Sequence, residues 1–168
     1  LLCTSDEEMG MSGVEKFDAS ILTGRTLINL DANDEGVFVV GCAGGPVIQV
    51  HMPIAWEPVH EPLEAFQLSI KGLVGGHSGE DIHRGRANAN KLIGRVLGRL
   101  AEEMPLRLAA LNGGLKYNAI PREAEAIILL RPEDCPKALA IVDEFQQISK
   151  KEYRDSDAGI SIRLASFT

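Results

Sequence analysis

The sequence lacks the long apolar run and the basic leader segment that membrane and secreted proteins carry. None of its hydrophobic stretches reaches the roughly 18 residues that span a bilayer, and its first residues contain no basic segment followed by an apolar one. Basic residues are the minority charge, because 17 Lys and Arg stand against 24 Asp and Glu, for a net charge of −7. The sequence therefore predicts no membrane insertion and no nucleic-acid binding, and we expect a cytoplasmic protein.

Cysteine is scarce, and its spacing matches no recognised site. The three cysteines, Cys3, Cys42 and Cys135, lie far apart in the sequence. Structural zinc sites and disulfide frameworks need closely spaced or even-numbered cysteines. We therefore expect three reduced thiols in a reducing compartment.

Residues 75–83 (G-G-H-S-G-E-D-I-H) concentrate polar chemistry between a predicted strand and a predicted helix. Residues 66–73 alternate apolar and polar side chains with the period of two of a half-buried strand, and residues 87–104 change to helical spacing. Three of the nine residues are glycines, which can adopt positive φ or lie close to a ligand. His77 lies between them, so this segment is suited to present an imidazole.

Four interpretations of His77 remain open from the residues alone. The segment begins like a G-x-S-x-G nucleophile elbow, but Glu80 occupies the position of the last glycine. A metal site could use His77 and His83 with Glu80 or Asp81, although two histidines six residues apart do not share one helical face. His77 could instead donate a hydrogen bond to a substrate carbonyl, as in an oxyanion hole, or belong to a solvated surface turn.

Three carboxylates follow predicted strands in the first part of the chain. Glu7 and Glu8 lie in the turn after the first of these strands, and Asp31 follows the strand Thr26–Leu30. Ser5 and Glu8 match a helix capping box. Alternatively, of two adjacent carboxylates in a turn, one can bind a metal ion while the other acts as a general base. Asp31 fits either a metal ligand at a strand end or an ordinary turn residue.

The order of predicted elements divides the chain between residues 45 and 46, where the segment A-G-G-P interrupts it. Beyond that point the pattern predicts strand, strand, helix, strand, strand, helix, strand. Two helices on one face of an antiparallel sheet form an α+β sandwich of ferredoxin-like type. The predicted elements are strands 47–59, 63–73, 106–111, 123–130 and 160–164 and helices 87–104 and 136–153. Shorter strands are predicted before the break at 1–4, 26–30 and 37–42.

Four motifs in order along the chain resemble the bacterial aminoacyl-histidine dipeptidases (Xaa-His dipeptidases, peptidase D), which belong to the family of two-metal aminopeptidases, carboxypeptidases and aminoacylases. The motifs are T-S-D-E-E-M-G-M-S-G, I-N-L-D, G-C-A-G-G and K-G-L-V-G-G-H-S-G-E-D-I-H-R-G-R-A-N-A-N-K. The similarity covers most of the chain and is weakest after Pro132. It implies that residues 1–45 belong to an α/β catalytic domain and that residues 46–168 form a lid or dimerisation domain.

The resemblance also implies site residues, a cofactor and a substrate. Glu7 would be the general base, Glu8 a ligand of one metal ion and Asp31 a ligand of the other. His77 would stabilise the tetrahedral intermediate, and Asn118 would contact the substrate together with His77. The implied cofactor is a pair of zinc ions, with cobalt or manganese as alternatives. The implied substrate is a dipeptide that ends in histidine.

Several family residues have no counterpart in this sequence. The family also uses an H-x-D segment, a bridging Asp and a His near the carboxyl end, and the chain begins with Leu1 rather than Met. We therefore expect a fragment that is inactive without the remainder of the catalytic domain, and the resemblance allows a homodimer. The alternatives are an N-acyl amino acid amidohydrolase of the same family and a non-catalytic ferredoxin-like module for ligand binding or dimerisation.

Overall fold

The computed structural model describes residues 2–7, 10–30, 34–41, 44–46 and 48–167. The chain divides into two compact units, residues 1–55 and residues 56–168. Within the described ranges, no helix is both long enough and apolar enough to cross a bilayer. The domain boundary predicted between residues 45 and 46 remains a prediction. Glu8, Asp31 and Cys42 lie outside the described residues.

The first unit contains little regular structure among its described residues. Helix α1 covers Ser12–Glu15, and a single 3₁₀ turn follows at Ala19–Ile21. The 3₁₀ turn is capped by Asp18, whose carboxylate accepts a hydrogen bond from the Ser20 N–H at 3.0 Å.

The strands predicted before residue 60 are wrong for the residues that the structure describes. Residues 2–4, 26–30, 37–41 and 48–59 are in no strand, so the predicted hairpin between 47–59 and 63–73 is absent. Their apolar side chains are largely exposed, as Phe38 is at 92%. Alternating side chains indicate an extended chain, but a strand also needs a hydrogen-bonding neighbour, and the described residues supply none here.

The second unit contains six strands and two long helices. Strand β1 is the first of these elements and begins after Leu63. In chain order the elements are β1 (Glu64–Lys71), β2 (Gly76–His77), α2 (Ala89–Glu103), β3 (Arg107–Gly113), β4 (Ala119–Ile120), β5 (Ala124–Leu130), α3 (Cys135–Glu152) and β6 (Ser161–Ser166).

Four of these strands form an antiparallel sheet in the order β3-β5-β1-β6. Leu68 of β1 pairs with Ala126 of β5 on one side and with Leu164 of β6 on the other. Without the two short strands, the chain runs β-α-β-β-α-β through this sheet. The predicted ferredoxin-like α+β architecture is therefore confirmed.

The core lies on one face of the sheet, beneath both helices. Alternate residues of β1 and β5 are buried, as a strand with one covered face requires. Helix α2 adds an apolar stripe at helical spacing. The buried core side chains include Phe66, Leu68, Ile70, Leu73, Leu92, Ile93, Val96, Leu100, Met104, Ile128, Leu130, Ile141, Val142, Ile160 and Ile162.

Polar contacts fix the ends and the spacing of the two helices. The Asn88 side chain caps α2 by accepting a hydrogen bond from the Lys91 N–H at 3.1 Å. Arg95 of α2 forms a two-pronged ion pair with Glu152 of α3, at 2.7 and 3.0 Å. Glu103, at the carboxyl end of α2, pairs with Lys137 of α3 at 2.6 Å. The helices therefore hold a fixed position above the sheet.

Shortening the buried Leu68 side chain is expected to destabilise the protein. Leu68→Ala should lower the free energy of unfolding by about 2–5 kcal/mol, because it opens a cavity between the sheet and the helices. Leu115→Ala, at a fully exposed position, is the matched control and should change stability by less than about 0.5 kcal/mol. Urea unfolding followed by circular dichroism measures both. Equal midpoints for the two variants would contradict the assigned core.

Candidate functional site

The His77 loop, residues 74–87, connects the end of β1 to the start of α2. It contains β2 and a 3₁₀ turn at Ile82–Arg84. Gly75 and Gly76 have φ of +69° and +139°, which side chains with a Cβ rarely adopt. A Cβ at Gly76 would also collide with the side chain of Asp81. The two glycines adopt the positive φ that the sequence analysis allowed them, and the chain turns sharply into the loop here.

A short two-stranded ladder brings His77 and Asn118 together. β2 pairs with β4 so that His77 lies opposite Ala119. The N–H of Ser78 also donates to the carbonyl of Asn118 at 2.8 Å. Two predicted site residues that are distant in sequence thus lie next to each other in the second unit, His77 on β2 and Asn118 directly before β4.

The imidazole of His77 is held in one hydrogen-bonding state. Its Nδ1 accepts hydrogen bonds from the N–H groups of Gly79 at 3.2 Å and Glu80 at 3.1 Å. An Nδ1 atom that accepts two hydrogen bonds carries a lone pair, so the proton of the neutral ring is on Nε2. The side chain is exposed. The loop therefore presents an N–H donor to its surroundings.

The Asp81 carboxylate holds the backbone of His77 in place. Its carboxylate accepts a hydrogen bond from the His77 N–H at 2.9 Å and pairs with Arg84 at 3.1 Å and Arg86 at 3.4 Å. The His77 N–H, together with Arg86 and Arg84, holds the pKa of Asp81 below its ordinary value of 3.8. Arg86 also donates to the carbonyl of Gly75. A network of charge-assisted bonds therefore braces the loop.

A cleft of about 510 Å³ lies beside the His77 loop. Its walls come from the loop, the start of α2 and the β3–β4 connection. Its polar groups are one ammonium, hydroxyls and amides, with no carboxylate side chain. The lining residues are Ser78, Ile82, Asn88, Asn90, Gly113, Gly114, Leu115, Lys116, Tyr117, Ala119, Ile120 and Pro121. A small polar or anionic ligand would suit such a lining.

The turn around Glu7 is closed by local hydrogen bonds. The Met11 N–H donates to the Asp6 carbonyl at 2.7 Å, and the Ser12 hydroxyl donates to the Asp6 carboxylate at 2.6 Å. Asp6 has φ of +61°, a strained conformation of the kind that concentrates at functional sites. Glu7 is exposed beside it. Helix α1 begins at Ser12 with Met11 as its N-cap residue, so Ser5 does not cap this helix.

The described residues contain no cluster that could hold a metal ion. No three His, Cys, Asp or Glu side chains among them are arranged as ligands. The alternative of a metal site at His77, His83 and Glu80 or Asp81 is therefore wrong, because the Asp81 carboxylate is occupied by the His77 N–H and two arginines. The described part of the chain does not by itself fit a zinc pair.

Comparison with known protein families identifies the family to which the second unit corresponds. The family described as the peptidase dimerisation domain of the M20 group matches residues 68–157. This match covers more than half of the chain. The chain belongs to this family.

Two relatives extend the similarity of this peptidase dimerisation domain over nearly the whole chain. The cytosol non-specific dipeptidase of Escherichia coli is 40% identical over 166 residues, 99% of this chain. The crystal structure of aminoacylhistidine dipeptidase from Vibrio alginolyticus superposes with a TM-score of 0.71 and 33% identity over 98% of this chain. The chain spans 34% of the length of each relative. The resemblance inferred from the sequence motifs is thereby confirmed.

Sequence reasoning missed the structural role of four residues that hold this site of the peptidase dimerisation domain in place. Asp81 and Arg84 have the i, i+3 spacing of a helical ion pair, which was a usable signal. Arg86 carried no such signal. Asp157, whose carboxylate accepts hydrogen bonds from both ends of the His77 loop, lies in a stretch of the sequence that resembles an ordinary acidic turn. Its role depends on contacts between residues that are distant in sequence.

Replacing Asp81 is expected to destabilise the protein in a pH-dependent way. The folded-state pKa of Asp81 is lowered, so its carboxylate stabilises the fold above pH 3.8, and this contribution is lost as pH falls through the lower folded-state value. Asp81→Asn should therefore be less stable than wild type at pH 7, and the difference should shrink below pH 3.8. Chemical unfolding at a series of pH values measures it. A difference that stays constant down to pH 2 would contradict this account.

Proposed function

We propose that this chain is part of a metal-dependent dipeptidase that hydrolyses Xaa-His dipeptides in the cytoplasm. The names of its two relatives, a cytosol non-specific dipeptidase and an aminoacylhistidine dipeptidase, support the reaction class. The chain covers a third of those proteins, so the activity assigned here is that of the whole enzyme. The role of this chain is to supply substrate-binding and transition-state contacts.

The observation that carries this proposal is the state of the His77 ring. Two backbone N–H groups bond Nδ1, so Nε2 is a preorganised N–H donor. Peptide hydrolysis develops negative charge on the scissile carbonyl oxygen, and a fixed donor aimed at that oxygen lowers the barrier. We assign this oxyanion role to His77. Asn118, directly before the adjacent strand β4, is assigned to substrate binding, and the cleft beside the loop would take part of the dipeptide.

The remaining roles concern residues of the first unit. Glu7 is proposed to take the proton of the attacking water as it adds to the carbonyl carbon, and to pass it to the amine that leaves when the C–N bond breaks. Glu8 and Asp31 are proposed as ligands of two zinc ions. Two carboxylates cannot hold two ions, so further ligands are required.

Deacylation of an N-acyl amino acid is the second candidate reaction. It breaks the same kind of amide bond and would use the same donor on the carbonyl oxygen, but its substrate has no free amino group. A panel of Xaa-His dipeptides and N-acetyl amino acids, assayed with the zinc-loaded enzyme and a chelator control, separates the two. Release of histidine from dipeptides alone supports the first proposal. A non-catalytic module would hydrolyse neither set.

Removing the His77 donor is expected to lower turnover without loss of metal. His77→Ala in the enzyme should reduce kcat by about 10²-fold or more, the usual effect of deleting one oxyanion donor. His83→Ala, an exposed histidine on the same loop, is the matched control and should keep its full kcat. Steady-state kinetics and metal analysis measure the effect. Loss of metal with unchanged turnover per bound metal would contradict the oxyanion role.

We also propose that the partner of this domain is a second copy of itself, joined at the outer edge of β3. β3 pairs only with β5 in the described sheet. Leu108 and Leu111 on it are 44% and 52% exposed. An edge strand offers unpaired backbone groups to another strand, and a two-fold axis would bring the same edge of each copy together.

The adjoining side of α2 extends this apolar edge. The Asn90 side chain lies against Gly113 at the end of β3, whereas Arg95 is directed to α3. Gly94 and Ala101 follow Asn90 at helical spacing on the β3 side. A Cβ at Gly94 would meet no atom within 4 Å, so a partner helix could approach closely. We propose that the small residues and the edge leucines contact the second copy together.

A charge placed on this edge is expected to separate the copies. Leu111→Lys should convert a dimer of the chain to a monomer, because a lysine ammonium would be buried without a partner at the joint. Leu139→Lys, at a position on α3 that is 43% exposed, is the matched control and should stay dimeric. Analytical ultracentrifugation measures both. A wild-type monomer, or a Leu111→Lys dimer of unchanged affinity, would contradict the proposed interface.

A further inference from the structure

A buried carboxylate bridges the two ends of the His77 loop. Asp157 lies between α3 and β6 and is 0% exposed. Its Oδ1 accepts a hydrogen bond from the Val74 N–H and its Oδ2 one from the Ala87 N–H, both at 2.8 Å. Val74 and Ala87 are the first and last residues of the loop. One side chain therefore closes the loop at its base.

The backbone holds the Asp157 side chain in this position. The Asp157 N–H donates to the carbonyl of Tyr153, beyond the end of α3, at 2.8 Å, and the Asp157 carbonyl accepts from the N–H of Ile160 at 3.0 Å. No Lys, Arg or His side chain in the described part of the chain pairs with the carboxylate. Its two oxygens are thus satisfied by backbone donors, an arrangement that is costly to break in a buried site.

Only a carboxylate satisfies both ends of the loop. An asparagine has one acceptor oxygen, and its NH₂ group would face the N–H of Val74 or Ala87. One of those donors would then be buried without a partner. Both oxygens of Asp157 are therefore needed as acceptors for the geometry of the loop.

We propose that Asp157 is a positioning residue for His77. It fixes both ends of the loop, so the Nε2 donor is in place before substrate arrives. If the loop became less ordered, kcat would fall more than substrate binding would weaken. The expected effect on kcat rests on the proposed function, because it requires that His77 acts in the hydrolysis reaction. The loop geometry itself is independent of any activity.

The first test is the substitution Asp157→Asn in the enzyme. We expect kcat to fall by about 10- to 100-fold while KM and metal content change by less than about 3-fold. Asp155→Asn, the same change two residues away at an exposed position, is the matched control and should keep its kcat. Val142→Ala, in the core of α3, controls for lost stability alone. Equal loss of kcat in Val142→Ala and Asp157→Asn at matched stability would overturn the positioning role.

The second test needs no variant, in case Asp157→Asn does not fold. Amide hydrogen exchange of the wild-type chain should show Val74 and Ala87 protected to a similar degree, because both N–H groups share one buried acceptor. Exchange of either amide at the rate of an exposed, unbonded amide would overturn the proposal. If the enzyme lacks dipeptidase activity but both amides are protected, the proposed function fails and the loop closure stands.

Discussion

The buried carboxylate of Asp157 is the contact on which the candidate site depends. It lies between α3 and β6 of the second β-α-β unit, yet it accepts hydrogen bonds from both ends of a loop that belongs to the first. The His77 loop can therefore reach its final shape only after α3 has packed on the sheet. The family match begins in β1 and ends at this residue. The site is consequently a product of the whole fold rather than of its local sequence.

Within the loop, each layer of hydrogen bonds fixes the next. Asp157 sets the two ends, and Asp81 then holds the backbone N–H of His77 through a network with two arginines. The N–H groups of Gly79 and Glu80 finally orient the ring through Nδ1. Together these contacts limit the motion of an exposed imidazole. A donor that is fixed before the reaction need not reorganise while charge develops on the substrate.

The sequence predicted the second unit well because its signals are local. Helical spacing located the two helices to within two residues of α2 and one residue of α3, and alternation located β1 and β5. The glycines around His77 correctly indicated a loop that presents an imidazole. The segment 48–59 was predicted wrongly, since alternation cannot reveal whether a neighbouring strand exists. Asp157 was missed because its partners lie 70 and 83 residues away. Glu7, Glu8 and Asp31 owe their assigned roles to the family resemblance.

We propose that the His77 loop fixes the neutral imidazole in the form that carries its proton on Nε2. Nitrogen-15 NMR of the histidine side chains in the wild-type chain, assigned with a His77→Gln variant, reads the proton position directly. We expect a protonated Nε2 and an unprotonated Nδ1 at pH 8, with Nδ1 coupled to the Gly79 and Glu80 amides. A ring that carries its proton on Nδ1, or that averages both forms as a solvated histidine does, would contradict the account.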